Sequence, residues 1–555
     1  GHRAVAMGDI ARIRAMADRA LLGRDVATTE PAPAAAAGPP VQADPRTVEP
    51  QVIALAAQVL RCDPTRLDPG RELGAHGFDS ISLTEFITLV NRRWNLALTP
   101  AALYAAPSLH RFAADLVLRL APAGAQAPAA PARKEPLRRA APRPARRAPV
   151  SEAEPIAIIG TAARLPGAED LDAFWRRLEA GEDATSILPE GRTWFGAPPG
   201  TVVRGGFMAG VDEFDHAFFR IAPREAALMD PQQRLILQAA WNAIEDSGTA
   251  PSRLAGQAVG VYAAGASVSE FGASVVWQSE PEPHALGGIS GNFLANRLSW
   301  LLDLHGPSET IDTACSSSLV AVDRAVADLR RGVCSMALVA AVNVLVSYRA
   351  FRTVTLAGLL SPGGRCRSFA AGADGYARGE GVGALLLKPL SAALRDGDPV
   401  HAVILGSAVN HGGRASSLTS PNPAAQAAVI TAAWRNAGVD PALAGLVETH
   451  GTGTRLGDPV EVEGLKTAFA SLGRTADGGI ALSAVKAGIG HLESAAGLAG
   501  IIATIQAMRH GRRPGICGLD TVNPLIDVAG TPFRLSSTTT PWPAAAGPWR
   551  RVAGI

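Results

Sequence analysis

Residues 312–319 read Asp312-Thr313-Ala314-Cys315-Ser316-Ser317-Ser318-Leu319, a turn of small polar side chains leading into the Ala-rich, helix-patterned run 319–329. A cysteine at such a junction faces the positive end of a helix dipole, which predicts a lowered thiol pKa and a nucleophilic thiolate. Free cysteines are commonly small core residues, and Cys334 and Cys366 are expected to be that. Cys315 is set apart by two strings downstream, His450-Gly451-Thr452-Gly453-Thr454 and Lys486-Ala487-Gly488-Ile489-Gly490-His491. Glycine and small residues around each histidine suit a tight loop that presents the ring into a cavity. One cysteine and two such histidines, in this order, form a candidate catalytic set.

Around this set the chain alternates short apolar runs, at 156–159, 259–262, 337–344, 383–387 and 402–405, with long Ala-rich helical stretches. That alternation predicts a layered α/β domain from Pro155 onward. Upstream, residues 121–150 are dominated by Ala, Pro and Arg. Proline denies them a hydrogen-bonded helix, and their apolar content cannot build a core. In polyproline form these residues could span about 90 Å. The Arg133–Arg147 cluster of basic residues lacks interleaved aromatics, so it reads as a solvated tether and not as a nucleic-acid site.

Residues 48–120 carry a small four-helix pattern. Val52, Leu55, Ala56, Val59 and Leu60 repeat at helical spacing, and Ile81, Leu83, Phe86, Ile87 and Val90 form a second helix. A short element near 99–103 and a last helix over 108–120 complete it. Ser80, in Gly77-Phe78-Asp79-Ser80-Ile81-Ser82-Leu83, stands where the second helix begins. By itself such a serine is an ordinary N-cap. Residues 27–47 read as an Ala/Pro/Thr-rich linker. Residues 3–24 fit either an amphipathic helix, the tail of an upstream domain, or a docking segment.

With 555 residues the chain exceeds one compact core, and 47% apolar residues supply material for a large one. The net charge of +2 gives no global argument for nucleic acid or a membrane surface. Five scattered cysteines without a CxxC pair suggest a reducing, cytoplasmic compartment and argue against a zinc site. No apolar run reaches the ~18 residues of a membrane span, and the start lacks a signal-peptide pattern. The opening Gly-His reads as the start of an excised piece of a longer chain.

The cysteine and histidine strings, together with "EPIAIIGTAARLPG", "DPQQRLILQAAW", "GNFLANRLSWLLDLHGPS", "GYARGEGVGALLLKPL" and "GDPVEVEGL", resemble β-ketoacyl synthases over residues 154–555. Residues 48–120 resemble an acyl carrier domain, with Ser80 matching the serine that receives 4′-phosphopantetheine. The string "GFDSISLTEFITLVNRRWNLALTP" looks like carriers of modular polyketide synthases with trans-acting acyltransferases. The resemblance implies a thiolase-fold ketosynthase, a duplicated five-layered α/β core, usually dimeric, behind a four-helix carrier. The implied domains are an N-terminal segment and linker at 1–47, the carrier at 48–120, a tether at 121–153, and the ketosynthase at 154–555.

It further implies that Cys315 takes an acyl chain as a thioester. His450 and His491 would donate hydrogen bonds to a decarboxylating, usually malonyl, extender. Lys486 would act electrostatically, unless it is only a surface salt-bridge residue. Implied partners are carrier domains of the same and neighbouring modules, a trans-acting acyltransferase, a phosphopantetheinyl transferase and a second copy of the chain. Because the carrier precedes the ketosynthase, its cargo would be the incoming chain. Non-elongating members usually lose the first histidine and structural partner subunits lose the cysteine; His450 and Cys315 favour elongation. The chain ends at Ile555, before the glycine-rich turn that in the family supplies a second oxyanion donor, so the C-terminal end of the domain is expected to be missing. Gly488 stands where Asn is common, and Ala370 where an acid is common.

Overall fold

The structure, a computed structural model, describes residues 45–120 and 154–555 apart from positions 79, 99–102, 104–105, 107, 193–194, 267–269, 275, 277–279, 281, 415–420, 476–477 and 548. The readings for 3–24, for most of the 27–47 linker and for the 121–150 tether lie outside the described residues.

Helical spacing of apolar residues builds the small N-terminal unit. Helix α1 (Pro45–Leu60) begins three residues ahead of the expected boundary and buries Val52, Ala56, Val59 and Leu60. Helix α2 (Ser80–Trp94) adds Phe86 and Val90, and α3 (Leu109–Leu120) adds Leu109, Phe112 and Leu116. Phe78, Phe86 and Phe112 meet in a tilted chain with centroids 5.5 and 5.6 Å apart. The long α1–α2 loop folds into two 3-10 turns, Pro64–Arg66 and Leu73–His76. Asp63 starts the first by accepting from the Thr65 amide at 2.9 Å. Of the element expected at 99–103, Leu103 is described, helical and buried.

The large unit is layered. Strand β1 (Ile156–Arg164) is followed by helix α4 (Pro231–Asp246), which starts at a Pro with Asp230 accepting from the Gln232 amide. Strands β2 (Val259–Ala264) and β3 (Ser308–Ile311) precede helix α5 (Ser317–Arg330). Strands β4 (Met336–Asn343), β5 (Gly381–Pro389) and β6 (Ala402–Ile404) complete a six-stranded mixed sheet in the order β3-β2-β4-β5-β1-β6. Strands β2 and β4 are parallel, whereas β5 runs antiparallel to both β4 and β1. Every residue of β4 and β5 is buried, the pattern of strands covered on both faces.

The second half repeats the plan. Helices α6 (Pro423–Ala437), α7 (Gly457–Ser471) and α8 (Ala496–His510) accompany strands β7 (Ala444–Glu448), β8 (Ile480–Ser483), β9 (Phe533–Arg534) and β10 (Val552–Gly554). These form a parallel sheet in the order β9-β8-β7-β10. Helices α5 and α8 share one apolar cluster with β4 and β5, while Ala507 of α8 reaches Leu446 and Ala481 of the second sheet. Helix α4 covers the outer face of the first sheet, and α6 and α7 cover that of the second. The result is five layers, helix–sheet–helix–sheet–helix, the expected thiolase-fold arrangement. At the α5–α8 crossing a Cβ on Gly497 would lie 2.5 Å from Leu319 Cγ, so the close approach of the two helices requires glycine.

Candidate active site

Cys315 sits two residues before α5, on a turn that Ala314 makes with φ 57°. A left-handed alanine is strained, and Ser317 holds it. The Thr313 amide donates to Ser317 Oγ at 2.8 Å, and that hydroxyl donates to the Ala314 carbonyl at 2.6 Å. Ser318 Oγ accepts from the Leu498 amide at 3.0 Å and ties the turn to α8.

His450 follows β7. Its amide and that of Gly451 donate to the two carboxylate oxygens of Glu461, from α7, at 2.6 and 2.8 Å. Lys486 follows β8 and is buried, 5% exposed, which excludes the surface salt-bridge reading. The segment before it is anchored by Glu448, which accepts from Ser483 Oγ at 2.5 Å and from the Val485 amide at 2.8 Å. His491 leaves the short helix Lys486–Ile489 and bridges to Arg378, its amide donating to the Ala377 carbonyl at 2.7 Å.

These loops bring Cys315, His450 and His491 together: one side-chain N or S atom from each lies within 4.8 Å of the others. The two rings stand nearly perpendicular, with centroids 5.5 Å apart. Cys315 and His450 are open to solvent and His491 is buried.

The electrostatics correct one expectation. The Cys315 thiol is pushed up, not down, because crowding by the protein disfavours the thiolate; Lys486 and the cysteine's own amide only partly offset this. The helix dipole and Lys486 act on a sulfur that has lost much of its water. His450 is exposed as a residue, but protein atoms crowd its ring nitrogens, and this loss of water and, after it, the positive charge of Lys486 lower it to about 3. The same causes, with His450 and Arg378 added, hold His491 well below its usual value. Both imidazoles are therefore neutral at physiological pH. Burial raises Glu448 and Glu461, while their hydrogen bonds and Lys486 pull the other way.

A hydrogen bond fixes the tautomer of His491. Its Nδ1 lies 2.9 Å from the Glu493 amide, an obligate donor, so Nδ1 accepts and the ring hydrogen is on Nε2. Glu493 adopts φ 46° to aim that amide, and its carboxylate takes two bonds from Arg378 at 2.6 and 2.8 Å. This arrangement also bears on metal binding. A metal-bound histidine donates its other N–H outward, whereas here the outward nitrogen meets a donor. The Cys–His–His cluster is thus configured for donating hydrogen bonds rather than for holding a cation.

Sequence reasoning missed Ser317, Arg378, Glu448, Glu461 and Glu493, whose roles depend on partners remote in the chain or on backbone geometry. The string "GYARGEG" contains Arg378, but only the folded chain pairs it with Glu493. The two departures are accommodated. Gly488 leaves room for the Glu182 carbonyl, 3.1 Å from where a Cβ would stand, and Ala370 is buried beside the Phe369 amide that donates to Asp458. Cys334 and Cys366 are buried as expected, and burial pushes both to about 11. Ser80 is the first residue of α2.

Among the described residues no helix is long and apolar enough to cross a membrane. Residues 153–393 match the β-ketoacyl synthase N-terminal domain, 401–520 its C-terminal domain, and 50–116 the phosphopantetheine attachment site. The chain is 40% identical over 510 residues to polyketide synthase PksN of Bacillus subtilis, covering 86% of this chain and 9% of that one. It is 46% identical over 417 residues to polyketide synthase ThaG of Burkholderia thailandensis, covering 73% and 7%. It thus spans less than a tenth of the length of these relatives. Among solved structures, the oxazolomycin ketosynthase domain OzmH KS7 of Streptomyces albus JA3453 aligns with a TM-score of 0.65 at 40% identity, covering 70% of this chain and 71% of that one. The chain therefore belongs to the β-ketoacyl synthases of modular polyketide synthases and carries a phosphopantetheine-attachment domain ahead of the ketosynthase.

Proposed function

We propose that this chain elongates a polyketide. Residues 48–120 act as the carrier, 121–153 as tether and 154–555 as the ketosynthase, with Ser80 as attachment residue and Cys315, His450, His491 and Lys486 as the working set. When bound at Ser80, 4′-phosphopantetheine supplies a thiol on a long flexible arm that carries acyl groups as thioesters.

Cys315 Sγ attacks the carbonyl of the incoming acyl thioester. A new C–S bond forms, the old one breaks, and the departing thiol takes the proton that Cys315 gives up. The Cys315 amide is one donor for the oxyanion of that step. A malonyl-type thioester then loses CO₂, and the electron pair of the broken C–C bond develops as an enolate. Nε2–H of His491 and the neutral ring of His450 donate to the enolate oxygen as its charge appears. The enolate carbon attacks the acyl-Cys315 carbonyl, a C–C bond forms, and the expelled Cys315 thiolate is reprotonated from water. Lys486 stabilises both the thiolate and the enolate through its charge.

The observation that carries this reading is the pair of neutral imidazoles held beside Cys315, one with its hydrogen fixed on Nε2. Partners under the same reading are carriers of this and neighbouring modules, a trans-acting acyltransferase, a phosphopantetheinyl transferase and a second ketosynthase protomer. The test is His450→Ala. Mass spectrometry is expected to find the acyl group on Cys315 and no condensed product. Condensation at the wild-type rate would refute elongation through this site, and loading that survives Cys315→Ala would refute the nucleophile.

A further inference from the structure

The carrier lies directly on the ketosynthase. Glu85 of α2 reaches Arg224 at 3.3 Å, and Arg61, just after α1, reaches Glu282 at 3.8 Å. Arg224 and Glu282 also bind each other at 2.8 Å, so the ketosynthase presents a preformed ion pair, and the carrier brings an acid to its base and a base to its acid. Arg224 is 13% exposed, which limits solvent screening of its own contacts, whereas Arg61 is largely open to water. Hydrogen bonding from Arg224, assisted by the Arg61 charge, holds the Glu282 carboxyl below its usual range.

An apolar contact accompanies the charges. Gly77, at φ 88°, lies so close to Ala222 that a Cβ there would stand 3.1 Å from the Ala222 nitrogen, and Ala222 joins the carrier's own apolar cluster. Gly77 is three residues ahead of Ser80, so the loop leading into the attachment serine rests on the ketosynthase.

A run of short packed elements lies between the patch and the catalytic set. Segment Pro223–Leu228 packs on Ala285–Ile289, which packs on Glu270–Ser274. Glu270 lies 3.8 Å from Arg378, the residue that clamps Glu493 behind His491.

We infer that Ala222, Arg224 and Glu282 form the surface on which the chain's own carrier docks, through Gly77, Glu85 and Arg61, to deliver its acyl group to Cys315. The inference deepens the elongation reading and rests on it. The 33 positions between Leu120 and Glu154 can reach about 110 Å fully extended, ample for docking within one chain. Crossed charges of this kind steer association and set register more than they add affinity.

The test uses the full chain and four proteins: wild type, Glu85→Arg, Arg224→Glu and the double reversal. In the unloaded protein, hydrogen exchange of segment 223–228 is expected to quicken about fivefold in either single variant and to slow again in the double, short of the wild-type rate because Glu282 loses its Arg224 partner. In protein acylated at Ser80, mass spectrometry follows transfer to Cys315, expected to slow about tenfold in the single variants and to recover in part in the double. Glu85→Arg alters the carrier alone, so its result stands even if Arg224→Glu disturbs the ketosynthase. Equal exchange and equal transfer in all four proteins would overturn the docking surface. Transfer from a Cys315→Ala chain to a Ser80→Ala chain as fast as within one wild-type chain would overturn delivery by the chain's own carrier. Loading of wild-type Cys315 from a free acyl thioester is measured in parallel. Its failure would strike the acyl-acceptor reading, while the exchange result judges the docking surface by itself.

Discussion

Lys486→Met removes the buried cation whose charge acts on Cys315, on both histidines and on Glu448 and Glu461, and keeps roughly the length of the side chain. Crowding by the protein raises the Cys315 thiol above its usual value and Lys486 is the first influence that opposes it. A nearby opposite charge is worth about 1–3 pKa units to an ionising group. Because Cys315 is open to solvent on one side, the lower end applies, so the variant thiol is expected to titrate about one unit higher than wild type, with about tenfold less thiolate at pH 8. The histidines do not mask the change. His450 titrates near 3 partly because Lys486 repels its charged form, and one unit of relief leaves it neutral above about pH 5. The assay is iodoacetamide alkylation of Cys315 from pH 6 to 11, followed by peptide mass spectrometry, with buried Cys334 and Cys366 expected to stay unmodified while the chain is folded. Since alkylation goes through the thiolate, its rate traces the titration. A midpoint that stays in place or falls in Lys486→Met would refute the electrostatic role, and Lys486→Arg is expected to stay near wild type.

Three further outcomes are expected. Incubation with a phosphopantetheinyl transferase and coenzyme A adds one arm to the wild-type chain and none to Ser80→Ala, read from intact mass. Glu493→Gln loosens the clamp from Arg378 and thereby the amide that fixes the His491 tautomer; condensation is expected to slow about 10- to 100-fold, the usual cost of losing a histidine-orienting partner, while loading of Cys315 persists. Arg192 holds fully buried Glu380 through bonds of 2.7 and 2.8 Å, so Arg192→Met leaves an uncompensated charge and is expected to cost about 3–5 kcal/mol in denaturant unfolding, much of it regained in Arg192→Met/Glu380→Met.

That Cys315, His450 and His491 belong together was legible because the chemistry proposed for them restricts them to few residue types and their loops to glycine. The first-sheet strands were legible too, since runs such as 337–344 are long, apolar and bounded by turns; β4 differs by one residue at each end. Strands β7 and β8, of five and four residues, offered no such run, and their parallel pairing arises only when the second half folds over α8. The sign of the Cys315 shift was not legible, because a helix dipole can be inferred from local sequence whereas loss of water depends on everything that folds around the sulfur. The same holds for Lys486, which a linear reading could place on the surface and the fold buries. Glu493 carries no signal of its own. Its value lies in a left-handed backbone angle and a carboxylate clamped by a residue 115 positions away.

The charge layout explains why neutral histidines suit this site. Imidazolium groups would pair with the carboxylate of a malonyl-type extender and stabilise the state that must lose CO₂. Neutral N–H donors interact weakly with the thioester oxygen before decarboxylation and strongly once it bears charge, so their stabilisation appears where it accelerates the reaction. Loss of water around both rings, with the charge of Lys486 beside them, holds them neutral well below physiological pH. The cation in turn would be cancelled if Glu448 and Glu461 faced it freely. Each carboxylate instead accepts two hydrogen bonds from another segment, Glu448 from Ser483 and Val485 and Glu461 from His450 and Gly451, which turns both acids toward building the turns that carry Lys486 and His450. The positive potential is thereby left directed at the point where an enolate oxygen would form.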